Sequence, residues 1–246
     1  MKTKTLTQRF WLAGHRRRSA FLALLALPLL LAACTTSGDS ASPFAFPADD
    51  GLVLQARIYG SGTPAVILVH DYKSDLGTWS GFAERLTAKG FLVLTYNMRG
   101  HSSSPGKMDV SQTNADLTAA VRSMRRNSRP FMFIIGEGLG GIAAINVGAL
   151  EEMLGVISIS APTSFRGISG INAVPRVESP KLFIAGQEDE QGADAAELYQ
   201  QRALEPKALA LFPGDKKGAA LVESNSALRN RIFAFLDANK DAGDVQ

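Results

Sequence analysis

Cysteine and histidine are the scarcest reactive groups in this chain, which has one cysteine and three histidines among 246 residues. The lone cysteine, Cys34, excludes a disulfide within one chain. The histidines are His15, His70 and His101, and the carboxylates are not clustered around them. The sequence therefore offers no set of metal ligands, and it gives no reason to expect a cofactor.

An excess of positive charge is also missing from most of the chain. The formal net charge is +3, but six of the 26 basic residues and none of the 23 acidic ones lie in the first 33 positions. The remaining chain has 20 basic and 23 acidic residues and is mildly acidic. Nucleic-acid binding requires a basic stripe, so nucleic acid is not an expected partner.

Only one long apolar segment is present, the fourteen residues from Ala20 to Ala33, which follow Arg16–Arg18. This segment is too short to cross about 30 Å of hydrocarbon comfortably, and its flanks are typical of a signal peptide. Small residues lead into Cys34 and resemble the bacterial lipobox. That resemblance implies cleavage before Cys34, a diacylglyceryl group on its thiol, and anchoring through acyl chains such as palmitate.

The expected product is an exported protein held to membrane lipid through Cys34, in the cell membrane or in an outer membrane if there is one. A plain secretory signal with an incidental cysteine and a short membrane anchor are the alternatives, and the export route stays open between the general and the twin-arginine pathway. We assign residues 1–33 to the signal peptide, 34–46 to the lipidated cysteine and a flexible tether, 47–240 to one domain, and 241–246 to a polar tail.

Apolar runs of strand length alternate with helical periodicity after the tether, which predicts a doubly wound, mostly parallel α/β sheet with helices on both faces. The predicted strands are 53–58, 65–69, 91–96, 131–135, 154–159, 181–185 and 208–212. The predicted helices are 79–89, 114–126, 139–150, 193–202 and 221–236. About twenty residues separate Ser160 from Lys181, too few for a lid domain, so any pocket should be shallow and open.

Three segments occur in an order that carries a resemblance: Val69-His70-Asp71 after a buried strand, Arg99-Gly100-His101 after the next strand, and Gly136–Gly141 between a strand and a helix. Their order and spacing resemble the α/β-hydrolase family, close to its small lidless esterase and dienelactone-hydrolase-like members. The resemblance covers about residues 50–238.

In that family the turn between strand and helix reads Gly-x-Ser-x-Gly and presents the nucleophilic serine. Here the turn contains Gly136, Glu137, Gly140 and Gly141, and the serine position is Gly138. Glycine has no nucleophilic atom, although it accepts the strained backbone of the turn easily. A phosphate-binding turn of a dinucleotide site is the alternative, but the strand before it is not the first and no acidic residue ends a following strand.

The resemblance places the acid of the family's triad at Asp189, within Gly186–Asp189, and the histidine at a position occupied by Lys217. His70 and His101 are interpreted as loop histidines with local hydrogen bonds. Lys217 either pairs with Asp189 or belongs to a solvated loop. The family's oxyanion hole would use the N–H of Leu139 and of a residue near Tyr72, which survive the loss of the triad and could hold a carboxylate or carbonyl oxygen.

Because two of three triad positions are replaced, the leading hypothesis is a membrane-anchored, non-catalytic pseudo-hydrolase that binds a small acyl-type ligand or a partner protein. Loss of a nucleophile or base lowers turnover by a factor on the order of 10⁶ in a serine protease. The alternatives are a weak or unconventional esterase-like hydrolase and a structural or interaction lipoprotein.

Overall fold

The structure is a computed structural model that describes residues 41–127 and 129–243. These residues form ten strands: β1 (Ser42–Pro47), β2 (Val53–Tyr59), β3 (Ala65–Val69), β4 (Leu92–Tyr96), β5 (Met132–Glu137), β6 (Gly155–Ile159), β7 (Ser164–Phe165), β8 (Ile168–Ser169), β9 (Lys181–Gly186) and β10 (Lys207–Phe212). The six α-helices are α1 (Ser80–Thr87), α2 (Thr113–Arg126), α3 (Leu139–Gly148), α4 (Glu190–Arg202), α5 (Gly218–Ser224) and α6 (Ser226–Asn239).

Eight strands form one sheet in the order β1-β2-β4-β3-β5-β6-β9-β10. The pairs β1–β2 and β2–β4 are antiparallel, and the six strands from β4 to β10 are parallel. Helices cover both faces, so the central strands are buried on both sides and are apolar throughout, as in β3. The prediction of a doubly wound, mostly parallel sheet is confirmed.

Alternate residues of β3 pack into two different hydrophobic clusters. Ile67 and Val69 join the cluster that contains residues of α2, α3 and α4, whereas Val66 and Leu68 join the cluster with residues of α1, α5 and α6. This period of two is the geometry of a strand, and it places one half of the core on each face of the sheet.

The first strand corrects the predicted domain boundary. Residues 42–46, which we assigned to the flexible tether, lie in β1, and β1 pairs with β2 along its whole length. Phe46 is buried and packs against Tyr96, with ring centroids 5.6 Å apart. Small residues and proline are typical of a linker, but they also suit an edge strand, where proline costs no ladder hydrogen bond. The composition therefore did not distinguish the two.

The expected single helix over residues 221–236 is also wrong, since two helices, α5 and α6, meet at Asn225. Asn225 has an extended backbone (φ −122°, ψ 105°), and its side chain accepts a hydrogen bond from the Leu228 N–H at 3.0 Å. The chain therefore stops one helix and caps the next at the same residue. At the C-terminus, Lys240–Gly243 forms a 3₁₀ turn that overlaps the assigned polar tail.

The segment between β6 and β9 contains a small β-hairpin in place of a lid domain. β7 and β8 are joined by Arg166 and Gly167, which both have positive φ (44° and 92°). Two such residues form the two-residue turn that matches the twist of a hairpin. In the part of the chain that the structure describes, no helix is long and apolar enough to span a membrane. The predicted signal peptide and Cys34 lie outside the described residues.

Candidate functional site

The turn between β5 and α3 keeps the shape of a nucleophile elbow. Gly138 has φ 52° and ψ −117°, a conformation that side chains rarely adopt. Its neighbours are fixed by close backbone contacts: a β-carbon on Gly136 would lie 2.2 Å from the Gly140 carbonyl oxygen, and one on Gly140 would lie 2.6 Å from the His70 carbonyl oxygen. The glycines of the turn are therefore required by packing.

The side chain of Asp71 occupies the place in which a nucleophile would stand. A β-carbon built on Gly138 would lie 2.1 Å from Asp71 Oδ1 and 2.3 Å from its Cγ. Contacts this short do not occur between unbonded atoms, so Asp71 and any larger residue at position 138 exclude each other in this arrangement. The elbow lacks its nucleophile and is also filled.

The same carboxylate accepts a hydrogen bond from the N–H group that an oxyanion hole would need. The Leu139 N–H, at the first turn of α3, donates to Asp71 Oδ1 at 2.7 Å. A carboxylate at a helix N-terminus is stabilised by the helix dipole and by a charge-assisted hydrogen bond. The expectation that Leu139 is free to hold a ligand oxygen is therefore wrong, because Asp71 already supplies that oxygen.

Tyr72, the predicted neighbourhood of the second donor, contributes its side chain to an aromatic cluster beside Asp71. Its hydroxyl accepts a hydrogen bond from Arg166 Nη1 at 2.6 Å, and the Arg166 guanidinium lies 4.5 Å from its ring centroid. The Phe165 ring is 5.1 Å from the Tyr72 ring. The β7–β8 hairpin is thereby linked to the loop after β3, next to the elbow.

Asp189 and Lys217 meet where the acid and base of the family would meet. Lys217 Nζ lies 2.6 Å from Asp189 Oδ1, and the Asp189 side chain is 1% exposed while that of Lys217 is 62% exposed. Asp189 also caps α4 by accepting a hydrogen bond from the Gly192 N–H at 3.1 Å. The hypothesised ion pair between Lys217 and Asp189 is therefore present in the structure.

Glu137 is a buried carboxyl that the sequence analysis included only as part of the elbow. Its Oε2 accepts a hydrogen bond from the Ala219 N–H at 2.7 Å, while no partner for Oε1 is found among the described residues. Burial raises the pKa of Glu137 from 4.5 to about 7. A β-carbon on Gly218 would lie 1.8 Å from Oε2, so the loop before α5 closes directly over this carboxyl group. In the sequence, the signal for this buried carboxyl was an acidic residue at the end of an otherwise apolar strand.

The two histidines of the domain have structural roles. His70 Nε2 accepts a hydrogen bond from the Met98 N–H at 3.1 Å, which assigns the proton to Nδ1 and lets Nδ1 donate to the Asp71 carbonyl at 2.6 Å. Burial lowers the pKa of His70 to about 4. His101 lies between the carbonyl oxygens of Arg99 and Tyr72, at 3.1 and 2.7 Å. These bonds agree with the interpretation of both rings as locally bonded loop histidines.

Over residues 41–127 and 129–243, no group of three histidine, cysteine or carboxylate side chains lies close enough together to hold a metal ion. The chemistry of the elbow region therefore rests on Asp71, Glu137, Asp189, Lys217 and the backbone.

Comparison with known proteins supports the assignment of the fold. The family described as serine aminopeptidase, S33, matches residues 61–166. The α/β-hydrolase domain-containing protein 17B of Xenopus laevis is 28% identical, with the match covering 54% of this chain and 53% of that protein. The chain thus spans about half the length of the curated relatives it matches.

Two solved structures have the same fold. An esterase from Pyrococcus furiosus superposes with a TM-score of 0.72 at 19% identity, covering 82% of this chain and 93% of that one. An α/β hydrolase from Penicillium superposes with a TM-score of 0.72 at 16% identity, covering 82% and 99%. The chain therefore has the α/β-hydrolase fold, and esterases are among its structural neighbours.

Proposed function

We propose that this protein is a membrane-anchored, non-catalytic member of the α/β-hydrolase superfamily that acts by binding a partner protein. The observation that carries the proposal is the position of Asp71, whose carboxylate fills the nucleophile's place and accepts the hydrogen bond of Leu139. A small acyl-type ligand at the elbow is disfavoured, because its carbonyl oxygen would compete with this carboxylate.

The replaced triad positions support the absence of efficient turnover. Gly138 supplies no nucleophile, and the position of the base holds Lys217, which forms an ion pair with Asp189. Removal of a nucleophile or base lowers turnover by a factor on the order of 10⁶ in a protease of this mechanism. The residual effect of an oxyanion hole, about 10³–10⁴ over water, requires free donors.

A partner-binding role is supported by the surface beside the elbow. Tyr72 and Phe165 are half-buried, Arg166 is exposed, and the three side chains stack together. Tyrosine and arginine are enriched among residues that dominate protein interfaces. Anchoring through Cys34 rests on the lipobox-like sequence before it.

An ester-hydrolysis assay on the purified full chain in detergent tests the non-catalytic role. With p-nitrophenyl acetate we expect the wild type and Gly138→Ser to stay at the background rate, because neither protein has a histidine at position 217 to act as the base. Gly138→Ser combined with Lys217→His and Asp71→Gly should raise the rate, since this variant restores nucleophile, base and free donor.

The matched control places the histidine one residue away, as Lys216→His in the same Gly138→Ser and Asp71→Gly background, and should not gain activity. Hydrolysis by the wild type that Asp71→Ala abolishes would instead favour the esterase-like alternative. In that case Asp71 would be part of an unconventional catalytic site.

A further inference from the structure

A cavity of about 490 Å³ lies at the end of the sheet opposite Gly138. It opens between the residues that precede β4 and β5, whereas the elbow follows β5, and these strands are parallel neighbours of β3. Its walls combine the apolar side chains of Phe91, Pro130 and Phe131 with the cations Lys89, Arg129 and Lys240. Phe131 is 43% exposed at its edge.

The cations of this cavity are only partly neutralised. Among the described residues, no carboxylate lies within 4.0 Å of Lys89 or Arg129, and only Lys240 has an ion-pair partner, Asp237 at 3.1 Å. Arg129 Nη2 donates to the Ser61 carbonyl oxygen at 3.4 Å. Asp241 also lines the cavity. Cations with free donors beside an exposed aromatic ring suit a phosphate at a membrane surface.

The chain enters the domain towards this same end. Ser42 pairs with Ile58 near the end of β2, and β2 runs antiparallel to β4, so β1 begins at the end of the sheet opposite the elbow. The loop after β2 then contributes Thr63 and Pro64 to the cavity wall. Cys34 lies seven positions before Ala41, a reach of at most about 25 Å when fully extended.

We propose that this cavity binds the headgroup phosphate of an anionic phospholipid in the membrane that holds Cys34, so that the domain docks with its elbow facing away from the bilayer. The inference rests on the proposed lipid anchor. Lys89 and Arg129 bind the phosphate oxygens, and Phe131 enters the interface between headgroups and acyl chains. The elbow end, with Tyr72 and Arg166, is then left accessible to a partner protein.

The test uses the lipidated full chain in vesicles of phosphatidylcholine, with or without about 30 mol% phosphatidylglycerol. Because the Cys34 thiol carries the lipid, a cysteine introduced as Phe131→Cys can be labelled alone with an environment-sensitive fluorophore. Lys216→Cys, at the exposed loop on the elbow end, is the matched reporter. We expect a lipid-headgroup quencher to quench the label at position 131 more strongly than the label at 216, and only when phosphatidylglycerol is present.

Charge reversal at Lys89 and Arg129 should remove most of that quenching, and so should high salt, which screens the phosphates. Lys73→Glu with Lys216→Glu makes the same change in net charge at the elbow end and should leave the label at position 131 quenched. Unfolding curves of both double variants check that each still folds.

Two other outcomes are informative in different ways. A chain that floats with the vesicles but shows equal quenching at both positions overturns the docking while leaving the anchor intact. A chain that does not float overturns the anchor, and with it the docking that depends on it.

Discussion

Asp71 and Gly138 depend on each other, because the carboxylate lies where the first side-chain atom of any larger residue would be. The elbow has no side chain at position 138, and the facing loop after β3 supplies one, that of Asp71, which reaches the elbow. The hydrogen bond to the Leu139 N–H holds the carboxylate there.

Gly138→Ser should lower the free energy of unfolding by about 1–3 kcal/mol, because the new side chain must displace Asp71. Asp71→Gly should cost about 1–3 kcal/mol through the lost hydrogen bond. The double variant should cost less than the sum, since the clash is gone. Urea unfolding of all four proteins measures this coupling, and additive costs would show that the two residues do not compete for space.

Gly51→Ser is the control for backbone strain in that experiment. Gly51 also has a positive φ, 84°, but a β-carbon there would meet no atom within 4 Å. Its substitution therefore reports the conformational cost alone, and Asp71→Gly should not change it.

The buried carboxyl of Glu137 makes stability depend on pH. Its pKa in the folded chain, about 7, is above its ordinary 4.5, so the folded state holds a proton that the unfolded state releases between these values. The stabilisation is fully present below pH 4.5 and is lost as pH rises to about 7, a change on the order of 3 kcal/mol. Glu137→Gln should therefore gain stability over the wild type across this window, as urea unfolding at several pH values would measure.

Titration of His70 changes stability with pH in the opposite direction, so its effect must be distinguished from that of Glu137. Its pKa is lowered from 6.5 to about 4, so its contribution is present above pH 6.5 and is lost as pH falls to about 4. In Glu137→Gln only this slope remains, and stability should rise from pH 4 to 6.5. An unchanged pH profile in Glu137→Gln would contradict the assignment.

At the scale of elements, the sequence predicted the strands whose apolar pattern results from burial. Parallel strands buried on both faces are continuous apolar runs, and apolar runs located the six parallel strands and the antiparallel β2, seven of the eight strands of the large sheet. β1 was missed because an edge strand resembles a linker in composition. The break at Asn225 was missed because apolar residues continue from α5 into α6 without a change of spacing.

The candidate site was predictable only in part for a related reason. The positions of Gly138, Asp189 and Lys217 follow from motifs local to one loop each. The Asp71–Leu139 contact joins residues 68 positions apart. It forms because β3 and β5 are neighbours in the sheet, with Val69 opposite Gly136, so the loops that follow these strands meet. The signal in the sequence was Asp71, an acidic residue that directly follows the buried strand and His70.

Asn225→Ala should lower the free energy of unfolding by about 1 kcal/mol, because it removes the cap of α6. Asn225→Ser keeps a side-chain acceptor and should recover most of this loss. Thermal unfolding of the three proteins measures the difference. Equal stability of the alanine and serine variants would show that the cap does not hold the start of α6.

At the scale of the whole molecule, the two ends of the sheet have different surfaces. The end at which the chain enters combines cations with an exposed Phe131, and the other end combines the filled elbow with the Tyr72–Arg166 stack. Between these ends, the core consists of two hydrophobic clusters, one on each face of the sheet.

The anchor predicts a covalent label. When the full chain is produced in a bacterium fed an alkyne-tagged palmitate, we expect the wild type to carry the tag and to remain with the membranes. The Cys34→Ser variant should lose the tag, while the Thr35→Ala variant, which retains Cys34, should keep it. Tagging of the Cys34→Ser protein would place the lipid elsewhere and refute the lipobox interpretation.

The Asp71 carboxylate can be compared with the product of an ester hydrolysis cycle. Ester hydrolysis ends with a carboxylate in the active site, and that product must leave before the next turnover. Here the chain supplies its own carboxylate to the Leu139 N–H, so this contact is intramolecular. In the proposed non-catalytic role, the elbow holds a carboxylate as a working hydrolase does just before it releases its product.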